Sequence, residues 1–254
     1  MVANLLDLTG KRILVTGASS GIGRETAILF SKLGASLTLM GRSQDKLEET
    51  LTCLVPGSHQ TIVYDLTELD GLPKLLKSLG KEGGAFAGLF HAAGAEAVTP
   101  LPLINQKAIS KTIDLNFSSA LMLARGFSQK GVHVKESSSF VIMSSVAGQR
   151  GQAGMATYCA SKGALDSLVR ALAVELAPKH IRVNSIVAGA VKTDMHERLT
   201  SMMSEDAIQR YEEKHPLGFG SAEDIAQSGA FLVSSMSRWV TGTSMVVDGG
   251  FMCR

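Results

Sequence analysis

The chain has 254 residues, of which 45% are hydrophobic, so it can bury a sizeable core and fits a single domain spanning residues 1–254. Its 25 basic and 23 acidic residues give a net charge of +2 and are spread along the sequence without a basic stripe. This balance argues against nucleic acid and against an anionic membrane surface as partners.

The N-terminus and the cysteines bear on where the protein resides. The stretch "MVANLLDLTGKR" lacks the basic start and apolar run of a signal peptide, and no apolar run reaches the length of a membrane span. Cys53, Cys159 and Cys253 form no CxxC pair and have no metal-ligand spacing to a histidine. We therefore expect a cytoplasmic protein with reduced thiols and no metal site.

Short β-rich runs alternate with longer helical patterns along the chain. In order they are "RILVTG", "RETAILFSKLG", "SLTLMG", "QDKLEETLTCL", "TIVYDL", "LPKLLKSLG" and "GLFHAAG". A long helix near "QKAISKTIDLNFSSALMLARGFSQ", a strand "SFVIMSS", a helix containing "ATYCASKGALDSLV" and a strand "IRVNSIVAG" follow. This alternation predicts an α/β fold, a single-domain Rossmann-type doubly wound parallel sheet with helices on both faces.

Three glycines, Gly17, Gly21 and Gly23, separate the first strand from the first helix in "LVTGASSGIGRETA". Glycines here allow a tight turn and close backbone approach, and the free N–H groups at the helix start attract a pyrophosphate. Their GxxxGxG spacing differs from the commoner GxGxxG pattern. The turn predicts a dinucleotide site, with a purely structural turn as the alternative.

The end of the second strand indicates which dinucleotide is bound. In "LTLMGRS", Gly41 stands where an acid would bond the ribose 2′-hydroxyl of NAD, and Arg42 supplies a guanidinium suited to a 2′-phosphate. These residues favour NADP(H), the alternative being a solvated arginine. Asp65 in "YDLTE" has two interpretations: it accepts a hydrogen bond from the adenine amino group, or it caps the next helix.

A tyrosine and a lysine stand one helical turn apart in "ATYCASKGALDSLV". Tyr158 and Lys162 share a helix face, and a nearby ammonium favours the phenolate, lowering an ordinary phenol pKa of about 10. The pair therefore predicts a proton donor for general acid–base catalysis. Ser145 ends a buried strand at the ligand-binding edge of the sheet, where its hydroxyl can hold a substrate carbonyl. Ser144 competes for this role, although strand alternation points the two hydroxyls apart.

From about residue 190 to 220 the pattern becomes polar, rich in methionine and broken. We interpret this segment as an excursion from the single domain. The helix pattern returns in "SAEDIAQSGAFLVSSM", where Ser221 and Asp224 have capping-box spacing, and the last strand is "SMVVDGG".

Several motifs together resemble the short-chain dehydrogenase/reductase family over nearly the full length. In the family's order they are "TGASSGIG" (16–23), "HAAG" (91–94), Asn116 in "DLNFSSA", Ser145, "YCASK" (158–162), "RVNSIVAGAVKTDM" (182–195) and "VDGG" (247–250). Among family members, the chain is most similar to the 3-oxoacyl-[acyl-carrier-protein] reductases.

The resemblance implies a role for each of four residues. Tyr158 is expected to protonate the carbonyl oxygen during hydride transfer, while Lys162 also binds the nicotinamide ribose. Ser145 is expected to orient the carbonyl, and Asn116 to hold a water in a proton relay. The implied cofactor-binding positions are Gly17, Ser19, Ser20, Gly21, Ile22, Gly23, Arg42, Asp65, Leu66, Ala92, Ala93, Gly94, Tyr158, Lys162, Gly189, Val191 and Thr193.

The sequence departs from the family pattern at three places. His91 replaces the usual asparagine, Ala188 replaces a proline before Gly189, and no arginine stands between Gly218 and Phe219. We expect His91 to affect mainly packing beside the cofactor, and Ala188 to loosen a turn near the nicotinamide carboxamide.

The resemblance also leads to expectations about substrate and assembly. It implies an NADP-dependent carbonyl reductase that converts a ketone, in the first instance a free or carrier-bound 3-oxoacyl thioester, to an alcohol. Sugars, steroids and small ketones remain alternatives, as does a catalytically silent NADP-binding sensor. The 190–220 segment is expected to form a substrate lid, with Met195, Met202 and Met203 lining an apolar pocket or only packing the lid. The "VDGG" segment and the strand before it imply a homotetramer.

Overall fold

The fold is organised around one parallel sheet, in a computed structural model that describes residues 5–96, 98–201 and 203–253. Its strands are β1 (Arg12–Thr16), β2 (Ser36–Gly41), β3 (Gln60–Val63), β4 (Gly88–His91), β5 (Ser138–Ser145), β6 (Ile181–Ala188) and β9 (Ser244–Val247). Their order across the sheet is β3-β2-β1-β4-β5-β6-β9. The order reverses between β1 and β4, which confirms the predicted doubly wound topology and creates a crevice at that point.

Helices cover both faces of this sheet. One layer contains α1 (Gly21–Lys32), α2 (Gln44–Thr52) and α9 (Ala222–Val233), and the other contains α3 (Leu72–Gly83), α4 (Gln106–Ile113), α5 (Ser119–Phe127) and α6 (Ala156–Leu176). Successive residues of a strand alternate between the two cores: Ile13 and Val15 of β1 pack in one, and Leu14 packs in the other. Helices cover both faces, so the central strands are almost entirely buried, and β6 buries the polar residues Arg182, Asn184 and Ser185 among its apolar ones.

The long helix predicted around residue 115 is not uniform. A π-helical segment, Asp114–Ser118, separates α4 from α5. The wider turn carries Asn116, which is only 1% exposed, and such single-turn π segments are common at functional sites. The sequence pattern predicted a regular α-helix over "DLNFS", whereas the helix widens there and the Asn116 side chain forms hydrogen bonds to other segments.

The segment from 190 to 220 forms small elements above the sheet edge. They are β7 (Val191–Lys192), α7 (Asp194–Thr200), α8 (Glu205–Glu212) and β8 (Gly220–Ser221), with β7 paired to β8. Ser221 and Asp224 form the predicted capping box at the start of α9, which is confirmed. Within the described residues, no helix is both long and apolar enough to cross a membrane.

Candidate active site

The carboxyl ends of β1, β4, β5 and β6 meet at one edge of the sheet. Gly17, Ala92 and Gly189 directly follow β1, β4 and β6, and Ser145 is the last residue of β5. These four residues line connected sections of one cleft. Helix α6 packs against β5 and β6 and presents Tyr158 and Lys162 to the same cleft. Residues more than 100 positions apart in the sequence thus come together at the crevice expected from the sheet topology.

Glycine is required at two points of the turn between β1 and α1. Gly17 has φ +68°, and a Cβ added there would lie 2.7 Å from the backbone nitrogen of Ala93. A Cβ on Gly23 would collide with the carbonyl oxygen of Gly17. The turn can close only without these side chains, which leaves its backbone open toward the cleft.

The start of α1 keeps its N–H groups free. Ser20 occupies the N-cap position but makes no side-chain capping hydrogen bond, and the first turn contains no acidic residue. The N-caps of α7, α8 and α9 differ, because Thr193, Ser204 and Ser221 each accept a hydrogen bond from the helix backbone. The uncapped start of α1 is suited to bind an anion.

The larger section of the cleft has a volume of about 480 Å³. Arg42 lies on its wall, exposed, with no hydrogen bond or ion pair to any described residue. Asp65 does not line it: this carboxylate accepts hydrogen bonds from the backbone nitrogen and the hydroxyl of Thr67, at 2.9 and 2.8 Å. The predicted positions that do line this section are Gly17, Ser19, Ser20, Gly21, Ile22, Gly23, Arg42, Leu66, Ala92, Ala93, Gly94 and Thr193.

The Thr67 bonds to Asp65 lower the pKa of this carboxyl, with a smaller contribution from the charge of Arg42. Of the two interpretations of Asp65, the structure favours the local one, although the bonds cap a turn and not the first turn of a regular α-helix.

The smaller section, about 130 Å³ in volume, contains the predicted catalytic groups. Ser145, Tyr158 and Lys162 line it, together with the predicted cofactor-binding positions Gly189 and Val191. Tyr158 and Lys162 are 8% and 5% exposed. Phenol, ammonium and hydroxyl therefore face one small, largely dry space.

Burial dominates the electrostatics of Lys162. Its Nζ donates a hydrogen bond of 2.9 Å to the carbonyl oxygen of Met143. Desolvation lowers the pKa of Lys162 to about 8, against the opposing charges of Asp166 and Glu96. The lysine therefore titrates close to physiological pH, far below its usual range.

The pKa of Tyr158 moves in the direction opposite to the sequence prediction, which is wrong on this point. Burial of the phenol, followed by the negative charge of Glu96, raises this pKa, whereas the Ser145 hydroxyl acts to lower it. Lys162 Nζ lies 5.7 Å from the centre of the Tyr158 ring. Because the lysine is itself desolvated, it does not offset the burial, and Tyr158 is a neutral phenol at pH 7.

The two serines at the end of β5 have different surroundings. The Ser144 hydroxyl donates to the carbonyl oxygen of Lys162 at 3.3 Å and is buried. The Ser145 hydroxyl accepts a hydrogen bond from the backbone nitrogen of Ala147 at 3.2 Å and also forms a side-chain hydrogen bond with Tyr158. The alternation of the strand therefore favours Ser145 as the group that faces a substrate.

Asn116 lies behind the cleft and does not line either section. Its Nδ2 donates to the carbonyl oxygen of Ala95 and to the Ser161 hydroxyl, both at 3.0 Å, and its Oδ1 accepts from the backbone nitrogen of Ala95 at 2.9 Å. In this geometry Asn116 ties the loop after β4 to α6.

Known proteins share both the sequence and the shape of this chain. A family model described as enoyl-(acyl carrier protein) reductase matches residues 17–252. A short-chain type dehydrogenase/reductase from Mycobacterium marinum has a TM-score of 0.90 and 30% identity, with 100% of each chain covered. The chain belongs to the short-chain dehydrogenase/reductase family. It is an oxidoreductase, as the sequence resemblance predicted.

Two relatives of this short-chain dehydrogenase/reductase carry different activities in their names. The 3-oxoacyl-[acyl-carrier-protein] reductase FabG of Rickettsia conorii is 32% identical over 249 residues, which cover 98% of this chain and 99% of that protein. D-Erythrulose reductase of Gallus gallus is 33% identical over 248 residues, covering 97% and 98%. A protein from Beutenbergia cavernae whose structure contains NADP at low occupancy has a TM-score of 0.91 and 28% identity over 99% of this chain and 100% of that one.

His91, a departure from the family pattern, is held inside the short-chain dehydrogenase/reductase fold. Its Nδ1 lies 2.7 Å from the Thr16 hydroxyl and its Nε2 lies 3.4 Å from the Ser119 hydroxyl. Burial lowers the pKa of His91 to about 3, so the ring is neutral. These bonds fit the predicted packing role. Ala188, another departure, ends β6 in register with Val247 and is buried.

Sequence reasoning missed four polar residues that line the smaller section. They come from two loops and two helices and are Glu96, Gln152, His196 and Tyr211. The acid two positions after Gly94, at the end of a central strand, was a signal available in the sequence. Met195 lines both sections, Met203 lines neither, and Met202 lies outside the described residues.

Proposed function

We propose that this short-chain dehydrogenase/reductase reduces a ketone to a secondary alcohol with NADPH. The observation that carries the proposal is the convergence of Tyr158, Lys162 and Ser145 on one dry section of the cleft, next to an uncapped helix start. A catalytically silent NADP-binding protein would not need three reactive side chains buried together.

NADP(H) fits the residues that are present. The wall at Gly17 leaves no space for a Cβ, because one there would lie 2.7 Å from the backbone nitrogen of Ala93. The free start of α1 suits the pyrophosphate, and the unpaired Arg42 suits a 2′-phosphate. A similar protein from Beutenbergia cavernae contains NADP. When bound, the cofactor supplies the hydride.

The side chains of the smaller section divide the remaining chemistry. The Ser145 hydroxyl, a hydrogen-bond partner of Tyr158 in this structure, donates a hydrogen bond to the carbonyl oxygen of the ketone, which orients the substrate. Tyr158 is a neutral phenol and transfers its proton to the same oxygen as negative charge develops there. The ammonium of Lys162 stabilises the negative charge left on the phenol oxygen. Asn116 acts indirectly by holding α6 against the loop after β4.

The family does not by itself identify the ketone. Relatives of nearly equal identity are named for a 3-oxoacyl thioester and for D-erythrulose. The thioester, free or carrier-bound, remains the prediction from sequence resemblance, and small hydroxylated ketones are the alternative that these relatives favour equally. The segment 190–220 is proposed to act as the substrate lid, because Met195, His196 and Tyr211 within it line the smaller section.

The proposed chemistry is tested by consumption of NADPH with a panel of ketones, including acetoacetyl thioester, followed by the same assay on Tyr158→Phe. The variant keeps the ring and loses only the proton, so we expect turnover to fall by about 10²- to 10⁴-fold while NADPH binding persists. Binding is measured by fluorescence of the bound NADPH. Tyr158→Phe with near wild-type turnover would remove this residue from the catalytic role.

Assembly and location complete the proposal. We infer a homotetramer, because the edge strand β9 exposes Val246 (45%) and the neighbouring segment exposes Trp239 (91%). We also propose a cytoplasmic location, consistent with the free thiols of Cys53, Cys159 and Cys253.

A further inference from the structure

A single carboxylate stands at the junction of the two cleft sections. Glu96 lies in the loop after β4 and lines both the larger section and the smaller one. In the smaller section it is accompanied by Gln152, His196 and Tyr211, all of which can form hydrogen bonds. These four side chains supply polar groups among the apolar residues that line the rest of the smaller section.

Glu96 has unused hydrogen-bonding capacity. Among the described residues, its side chain makes no hydrogen bond and no ion pair, although it is only partly exposed. Burial raises the pKa of this carboxyl, while the charge of Lys162 opposes the rise. A half-buried acceptor without a partner is costly, and it binds a donor strongly when one arrives.

We propose that Glu96 selects a ketone that carries a hydroxyl group on the carbon next to its carbonyl. The substrate hydroxyl donates to the Glu96 carboxylate, while the carbonyl oxygen stays with Ser145 and Tyr158. This inference rests on the proposed ketone reduction and names its substrate class.

The same carboxylate discriminates against other ketones. A methylene of an acyl chain would shield Glu96 from water without supplying a donor, and the carboxylate of a keto acid would repel it. An amino ketone would match the charge of Glu96, but its ammonium would approach the buried cation of Lys162. A neutral hydroxyl meets both demands.

The test uses three ketones of nearly equal size: hydroxyacetone, 2-butanone and aminoacetone. For the wild type we expect kcat/KM to be highest with hydroxyacetone. Glu96→Ala should reduce the hydroxyacetone to 2-butanone ratio by about 10- to 100-fold, the usual effect of a lost hydrogen bond to a charged group. Glu96→Gln, which can still accept, should cause a smaller loss. The hydroxyacetone to 2-butanone ratio of a variant is divided by the same ratio of the wild type, so that the intrinsic reactivity of each ketone cancels.

A second substrate gives a change of opposite sign. Acetoacetate should be a better substrate for Glu96→Gln than for the wild type, because the repulsion between carboxylates is gone. General damage to the site would lower this activity instead. Glu136→Gln serves as the matched control. Glu136 is exposed and lies just before β5, at the amino ends of the strands, whereas the cleft lies at their carboxyl ends.

Binding is measured separately from turnover in the Tyr158→Phe protein loaded with NADPH. Hydroxyacetone should perturb the NADPH fluorescence at lower concentration than 2-butanone, and Glu96→Ala in that background should abolish the difference. An unchanged ratio in Glu96→Ala, or a preference for aminoacetone, would overturn the inference while leaving ketone reduction intact. Failure of every ketone with the wild type, together with equal binding of hydroxyacetone and 2-butanone, would overturn both proposals.

Discussion

At the scale of single residues, burial determines the protonation of Lys162 and of the neighbouring Tyr158. Lys162 is fixed to the Met143 carbonyl in a space that water hardly reaches. The protein therefore has an energetic cost in keeping this ammonium charged, and the cost disappears when the lysine is neutral. Lys162, to which the proposed mechanism assigns a role, thus destabilises the folded state under physiological conditions.

This cost predicts a pH-dependent stability. The pKa of Lys162 is lowered from 10.5 to about 8. Above pH 10.5 the lysine is neutral in both the folded and the unfolded protein and burial carries no charge penalty. As the pH falls from 10.5 to 8, the unfolded state takes up a proton that the folded state does not, and stability decreases. The free energy of unfolding of the wild type, minus that of Lys162→Met, should rise by about 1–2 kcal/mol between pH 7.5 and 9.5. Urea titrations at both pH values measure it.

Lys77→Met provides the control for this experiment, because Lys77 is exposed on α3. The free energy of unfolding of the wild type, minus that of Lys77→Met, should stay nearly constant over the same pH interval. If the Lys162→Met difference is also constant, the buried ammonium does not carry the cost assigned to it.

Arg42 is the second residue whose role depends on an unpaired charge. Replacing it by alanine should weaken NADPH binding by about 10- to 100-fold and leave NADH binding nearly unchanged, because only NADPH carries the 2′-phosphate. Titrations that follow the fluorescence of each bound cofactor measure the two constants. Equal losses for both cofactors would contradict the proposed preference.

At the scale of secondary-structure elements, helices α1 and α9 differ in how their N-terminal N–H groups are satisfied. Helix α9 is closed by a reciprocal capping box between Ser221 and Asp224. Helix α1 has an N-cap serine that makes no cap, and its start is fixed by glycine contacts. One helix satisfies its terminal N–H groups within the protein, whereas the other keeps them for a ligand.

The turn before α1 leads to a prediction about Gly23. Gly23→Ala forces a Cβ against the Gly17 carbonyl oxygen, so the helix start must shift. NADPH affinity should fall by at least about tenfold, since misplaced N–H groups lose their charge-assisted bonds to phosphate. Gly151→Ala is the matched control, because nothing lies within 4 Å of a Cβ there. Wild-type NADPH affinity in Gly23→Ala would show that the turn tolerates the side chain.

At the scale of the whole molecule, the sheet ends in two edge strands with different neighbours. Strand β3 exposes Val63 at one edge, and β9 exposes Val246 at the other; Trp239 and Met236, which precede β9 in the sequence, are also exposed. An apolar edge strand beside further apolar surface favours association with another chain. The proposed homotetramer would cover this second edge.

Val246→Lys tests the assembly. A charge on the edge of β9 should dissociate the tetramer into smaller species, which sedimentation velocity or mass photometry resolves. Val63→Lys introduces the same charge at the other edge and should leave the assembly intact. A wild-type protein that sediments as a monomer would contradict the homotetramer directly.

Local patterns in the sequence were sufficient for the architecture. Continuous apolar strands that alternate with helical patterns predicted the doubly wound sheet, because a parallel sheet buries both faces. The predicted glycine turn, Ser145, Tyr158 and Lys162 do lie along one cleft, because the carboxyl ends of parallel strands share one edge. Such features depend on backbone geometry and spacing, which are written locally in the chain.

Other features were decided only by the tertiary structure. The pKa of Tyr158 depends on how completely the phenol is desolvated and on Glu96, which lies in the loop after β4. The π-helical segment around Asn116 depends on bonds to Ala95 and Ser161. The free carboxylate of Glu96 is defined by the partners it lacks among the described residues. Desolvation and long-range contacts are sums over the surrounding atoms, so no local pattern contains them.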